Sequence, residues 1–265
     1  MKQLVAFSLL TLALFSCQKV IDVDLNEANP QVVLEANYTA EDSTVRVRVS
    51  ITSSYFDAST SPTVDNAIVT ITDQAGNVIT VPSVGNNGEY VLTNYIPQFN
   101  TTYTMNVLYN GVNYEAKCYL QQPVPLEEIT YEFTPGFFGL ESGYFVYLRI
   151  QDEPEILNNY LIVLGLNGTP FSDLSDMFLQ DDLFTDGNLL ERPLFGAFEL
   201  FQLGDTVDME LRSVDVAVYD YYNQVIGIAS GGGGAAPANP TSNWNNSALG
   251  YFNAYGNSRR SVIIQ

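Results

Sequence analysis

The stretch Thr44-Val45-Arg46-Val47-Arg48-Val49-Ser50-Ile51 alternates without a break. Val45, Val47, Val49 and Ile51 fall on one face, and Thr44, Arg46, Arg48 and Ser50 on the other. A helix would scatter these valines around its axis, whereas an extended chain points successive side chains to opposite faces, so the run specifies a half-buried antiparallel strand. Similar β-rich runs follow at Ala67–Thr72, Val78–Val81, Tyr90–Asn94 and Tyr103–Tyr109. Asn110-Gly111 separates the last of these from another alternating run and signals a hairpin, because both central residues of a type I′ turn need positive φ. Gly76-Asn77 and Asn86-Asn87-Gly88 supply further turns. Short strands at regular spacing with turn residues between them predict an immunoglobulin-like β-sandwich over residues 30–121.

Gln121-Gln122-Pro123-Val124-Pro125 ends that unit, since alternate prolines favour extended backbone and cannot donate to a ladder. Residues 122–265 predict a second β-rich domain, a sandwich or barrel-like unit with one or two helices, so the chain as a whole reads as mainly β. Ile129, Tyr131 and Phe133 alternate, Tyr144–Ile150 is apolar on both faces, and Tyr160–Leu166 suits a central buried strand. Thr206–Leu211 alternates again, and Ser261–Ile264 closes the sheet. Val214, Val218, Tyr222, Val225 and Ala229 recur at helical spacing, which predicts an amphipathic helix stopped by Gly231–Gly234. Phe171–Phe201 lacks periodicity and reads as a long excursion with short helical turns.

Charge narrows the function. Ten Lys and Arg face 30 Asp and Glu, for a net charge of -20, so no basic footprint exists for nucleic acid. The absence of His removes Ser-His and Cys-His nucleophile pairs and His-ligated metal sites. No Gly-x-Ser-x-Gly elbow, phosphate loop or dinucleotide fingerprint is present, and the expectation is a protein that is not an enzyme and uses no cofactor.

At the N-terminus, Lys2 precedes the apolar run Leu4–Phe15, the layout of an export signal over residues 1–16. That run would rise only about 18 Å as a helix, short of a roughly 30 Å hydrocarbon core. Leu14-Phe15-Ser16-Cys17 resembles a bacterial lipobox, which makes Cys17 the acylated residue through which the chain enters the lipid bilayer, followed by a tether over 17–29. Cys118 is then the one remaining thiol; its place in the alternation of Tyr114, Ala116, Cys118 and Leu120 reads as a small buried hydrophobe.

Two constellations concern ligands. Asp181-Asp182-Leu183-Phe184-Thr185-Asp186-Gly187-Asn188 offers calcium-type oxygens, but its spacing does not match an EF-hand, and the expectation is a solvated acidic turn with no metal. Adjacent acids at Glu127-Glu128 and Asp152-Glu153 are poor candidates for a glycosidase pair, because neighbours on a strand point to opposite faces, and they read as surface charge. The loop Asn239–Asn246 holds the single Trp, Trp244, with Tyr251, Phe252 and Tyr255 close behind. Trp244, Tyr251 and Tyr255 are candidate ligand-binding aromatics; the competing expectation is that Trp244 and Phe252 plug one end of the second sandwich.

Longer stretches carry a family resemblance. Cys17-Gln18-Lys19-Val20-Ile21-Asp22-Val23-Asp24-Leu25, Val33-Leu34-Glu35-Ala36 and the run Pro62–Asp73 resemble the Bacteroidota lipoprotein family termed domain of unknown function 4249. So do Gly204-Asp205-Thr206-Val207, Tyr219-Asp220-Tyr221-Tyr222, Asn239-Pro240-Thr241-Ser242-Asn243 and Ala248-Leu249-Gly250-Tyr251-Phe252. The resemblance implies a lipid-anchored outer-membrane protein, with the cell surface favoured over the periplasmic face. It further implies an accessory or binding subunit of a TonB-dependent outer-membrane transporter in nutrient capture or uptake. The alternative is a stand-alone surface adhesin or glycan-binding lipoprotein that uses the Trp244 loop.

Overall fold

The computed structural model describes residues 30–53, 61–136, 141–194, 200–229 and 239–265. The first sandwich begins with β1 (Val32–Thr39), β2 (Thr44–Ile51), β3 (Ile68–Thr72), β4 (Val78–Val81), β5 (Glu89–Leu92), β6 (Thr101–Tyr109) and β7 (Val112–Leu120). The alternating run of β2 sends Val45, Val47 and Val49 into the core while Arg46 and Arg48 stay in solvent. Thr44 and Ser50, expected outside, are also buried, Ser50 under the bridge it makes to Thr63. Asn110 and Gly111 take φ of 49° and 77°, and β6 pairs with β7 antiparallel across them.

The second region contributes β8 (Glu128–Thr134), β9 (Gly143–Gln151), β10 (Asn159–Leu166), the two-residue β11 (Thr169–Pro170), β12 (Met177–Asp181), β13 (Leu189–Leu194) and β14 (Thr206–Ser213). Helix α1 (Val216–Ala229) and β15 (Leu249–Ile263) complete the described elements. Two corrections concern the stretch Phe171–Phe201. A single 3₁₀ turn at Leu174–Asp176 is its one described helical turn, and β12 and β13 occupy much of the rest. Neither strand alternates cleanly in sequence, because their pairing with β10 and β9 leaves them half covered.

The domains are joined by β15. Its first half, Leu249–Tyr255, pairs parallel with β1, and its second half, Gly256–Ile263, pairs antiparallel with β14. One sheet therefore runs β11-β10-β14-β15-β1-β2-β5, with β12 on β10 beside β11. The sheet β4-β3-β6-β7 belongs to the first sandwich and β13-β9-β8 to the second. Residues 30–121 do not close the first core by themselves: Trp244, Phe252 and Ala254 lie in it beside Leu34 and Cys118. The full burial of β10 follows from its two covered faces, Tyr160, Ile162 and Leu164 in the second core and Leu161 in the cluster that holds Val218 and Tyr222 of α1.

Helix α1 starts where predicted for a physical reason. Asp215 Oδ1 accepts from the Ala217 amide at 2.9 Å, which caps the helix. The other oxygen, Oδ2, accepts from the Tyr119 amide of β7 at 2.8 Å, so one carboxylate ties the helix to the first sandwich. Val225 and Ala229, expected on the apolar face, are half-buried and exposed.

A charged network crosses the junction. Glu210 bonds Arg212 at 2.8 Å and lies 3.3 Å from Arg259, which reaches Glu41 of the β1–β2 turn at 3.2 Å. Burial alone would raise the Glu210 carboxyl, but Arg212 and Arg259 overrule it and hold the group below its ordinary value. Arg212 also stands 5.0 Å over the Tyr255 ring. A lowered folded-state pKa contributes stability that is present above the ordinary value of 4.5 and is lost as pH falls through the folded value. Glu210→Gln is therefore expected to cost about 2 kcal/mol at neutral pH by urea unfolding, since it strips a mostly buried Arg212 of its partner. The difference between variant and wild type should shrink as pH falls below 4.5.

Candidate functional site

The aromatics expected to bind a ligand are taken up by the fold. Trp244 is 5% exposed and its Nε1 donates to the Leu34 carbonyl at 3.2 Å. Its backbone bridges Ala116 of β7, while Asn245 and Glu115 exchange two hydrogen bonds of 2.9 and 2.8 Å beside it. The loop thus makes a single β-bridge to the edge of β7, and Trp244 plugs the first sandwich, where the expectation had placed it in the second. Tyr255 is buried under Arg212. Tyr251 is half-buried against Tyr221 and Tyr222, and its hydroxyl accepts from Asn37 at 3.3 Å. Trp244 and Tyr255 are thus enclosed, and Tyr251 alone of the three keeps partial exposure. Cys17, with its signal and tether, lies outside the described residues, as does Gly231–Gly234.

Cys118 is buried as expected, with an added role. Its Sγ accepts from the Ala254 amide at 3.1 Å, which occupies a donor that β15 would otherwise leave unpaired in the core. Burial, with the Asp215 charge next, pushes the thiol well above its ordinary value, so it is unreactive.

Two clefts stand out. One, of about 270 Å³, lies on the outer face of β14 and β15 between Asp208, Glu210, Arg259 and Ser261. Its polar groups are already paired, Ser261 with Asp208 and Arg259 with Glu41 and Glu210. The other, about 290 Å³, opens at the end of the second sandwich, where the β9–β10 loop meets the β12–β13 loop. Asp182, Asp186 and Glu155 line it together with Ile156, Leu157 and Leu183.

Two carboxylates of this second cleft, Asp182 and Asp186, converge with a third, Asp152. One oxygen each from Asp152, Asp182 and Asp186 lies within 4.8 Å of the other two. Leu183, Phe184, Asp186 and Asn188 of the acidic turn are exposed as expected, but Asp182 is 2% exposed, and Asp152, read as surface charge, is 2% exposed too. Asp152 accepts from the Tyr160 hydroxyl at 2.8 Å and from the Gly187 amide at 2.9 Å. Asp186 accepts from the Glu155 amide at 2.8 Å and so fastens one loop to the other. Asp182 accepts from the Asn158 amide at 2.7 Å through Oδ2, but its Oδ1 meets no donor.

Burial pushes the Asp182 carboxyl above its ordinary value; the Asn158 amide opposes, and the Asp152 and Asp186 charges add to the rise. Burial likewise raises the Tyr160 hydroxyl, reinforced by its bond to Asp152. At an effective dielectric near 20, like charges about 5 Å apart repel by about 3 kcal/mol per pair. A hydrogen bond to a charged group returns about 1.5–3 kcal/mol, so the one amide on Asp182 does not offset two such repulsions. Among the described residues no ion pair involves Asp152, Asp182 or Asp186.

Asp152 is the member missed in sequence, where its neighbour Glu153 suggested surface charge. Its phase carried the signal: Val146, Leu148 and Ile150 all face the second core, and Asp152 continues their step of two. Beside the carboxylates the same loops expose apolar side chains, Ile156 47%, Leu157 57%, Leu183 66% and Phe184 92%.

Comparison with known proteins adds the following. No curated protein matches the chain. Among solved structures, a segment of two fibronectin type III domains from chicken tenascin is similar over 71% of this chain and 92% of that one, at 13% identity and a TM-score of 0.22. The family model described as domain of unknown function (DUF4249) matches residues 18–261, nearly the whole chain, and the chain belongs to that family.

Proposed function

We propose that this chain is an outer-membrane-anchored lipoprotein, held through acylated Cys17, that serves as a non-enzymatic accessory or binding subunit of a TonB-dependent transporter. The apolar tips of the two loops at the end of the second sandwich carry this reading. Phe184 and Leu183 stand out of a chain whose net charge is -20, with Ile156 and Leu157 next to them. Large apolar side chains grouped at loop tips suit the desolvated centre of a protein–protein contact. A partner in the same membrane is within reach, because the 12 residues between Cys17 and Pro30 span up to about 40 Å when extended. The adhesin or glycan-binding alternative relied on Trp244, whose ring is enclosed in the first core.

Affinity purification of the tagged chain in mild detergent tests the partner. Recovery of a barrel-sized transporter, lost in Phe184→Asp, supports the reading; recovery of the lipoprotein by itself from wild-type membranes contradicts it. Cys17→Ala is expected to move the protein from the membrane to the soluble fraction, since a surface this acidic has no attraction of its own for anionic lipid. Retention of that variant through a carbonate wash would exclude the anchor.

A further inference from the structure

The geometry points to a calcium site formed by Asp152, Asp182 and Asp186, which clamps the β9–β10 loop to the β12–β13 loop. The convergence of three carboxylate oxygens within 4.8 Å is the first observation. A second is independent of the acids: the side-chain oxygens of Asn158 and Thr185 are buried with no hydrogen-bond partner. Asn158 is 1% exposed. Both residues are locked to Asp182 through the main chain, Asn158 by its amide on Oδ2 at 2.7 Å and Thr185 by its amide on the Asp182 carbonyl at 2.8 Å.

Buried acceptors without donors, on residues bonded to Asp182, can be satisfied by a cation, which also neutralises the three converging carboxylates as a neutral donor does not. The donor set is all oxygen. The chain has no His, and its one described thiol, Cys118, is engaged elsewhere, so the nitrogen and sulfur ligands that zinc and copper favour are missing. An all-oxygen set drawn from two separate loops, with three carboxylates in it, suits calcium's six to eight irregularly placed oxygens better than the strict octahedron of magnesium. The ligands come from two loops 30 residues apart in sequence, from Asp152 to Asp182, which is why the spacing within 181–188 did not match a single-loop motif.

The site does not depend on the transporter reading, and its test needs only the purified mature chain. After chelation, calcium chloride is expected to raise Tm by about 4 °C at tenfold excess over Kd, with Kd between about 10⁻⁵ and 10⁻³ M. Terbium, a calcium-sized ion, should show emission sensitised by Tyr160, whose hydroxyl touches Asp152, and excess calcium should quench it. Asp186→Asn changes an exposed side chain, so it should fold, and it is expected to weaken both responses at least about tenfold. Asp182→Asn should abolish them while leaving the chelated protein as stable as wild type or more so, because a buried repelled charge is gone. The absence of any calcium response in wild type, or an equal response in Asp186→Asn, would overturn the site.

Discussion

Gly250→Ala is expected to destabilise the protein by at least about 4 kcal/mol, a large fraction of the roughly 5–15 kcal/mol that holds a typical domain folded. A Cβ on Gly250 would sit 2.2 Å from the Leu34 carbonyl oxygen and 2.8 Å from its carbon, both backbone atoms of β1 that no rotamer change can move. Gly250 also holds φ at +93°, which costs an alanine about 1–3 kcal/mol before any clash. Relief would require β15 to withdraw from β1, and seven residue pairs from Val33–Leu249 to Thr39–Tyr255 depend on that approach. Gly111→Ala separates the two causes, because Gly111 has φ +77° with no atom within 4 Å of the added methyl. Urea unfolding should show a loss near 1 kcal/mol for Gly111→Ala and a far larger one, or no folded protein, for Gly250→Ala. Equal losses would mean that the contact with Leu34 is not tight.

Trp244→Ala ranks next, at about 3–5 kcal/mol. Truncation leaves a cavity at the edge of the first core and deprives the Leu34 carbonyl of its donor. Trp244→Phe divides the effect: it keeps much of the volume and loses the hydrogen bond, so about 1–3 kcal/mol should remain. Fluorescence offers a check that needs no substitution, since the chain has a single Trp. Emission from a ring 5% exposed should resist quenching by acrylamide, whereas efficient quenching would return Trp244 to the surface as a ligand contact.

The two large effects meet at Leu34, and that convergence could not be read along the chain. Strand β2 could be, because the alternation of Val45, Val47 and Val49 is local and puts all three on one face, though not the burial of Thr44 and Ser50. The Asn110-Gly111 hairpin was legible for the same reason, its turn chemistry being complete within two residues. The calcium-type cluster was half legible: residues 181–188 showed the oxygens, yet the decisive partner Asp152 sits on another loop and is brought in by the pairing of β9 with β13. Ser261–Ile264 was expected to close a sheet, but the strand it ends begins at Leu249.

Sequence alone determined the chain's mainly β character, the places where its strands turn, the helix that Asp215 caps and the family to which it belongs. All of these rest on short-range periodicity, turn stereochemistry and residue identity. The tertiary structure alone decided that β15 changes partners midway, parallel to β1 and then antiparallel to β14, so that one sheet serves two cores. Pairing joins backbone groups that every residue carries, across some 216 positions between Val33 and Leu249. Which strand lies beside which is settled by closing both cores at once, and that is a property of the whole chain.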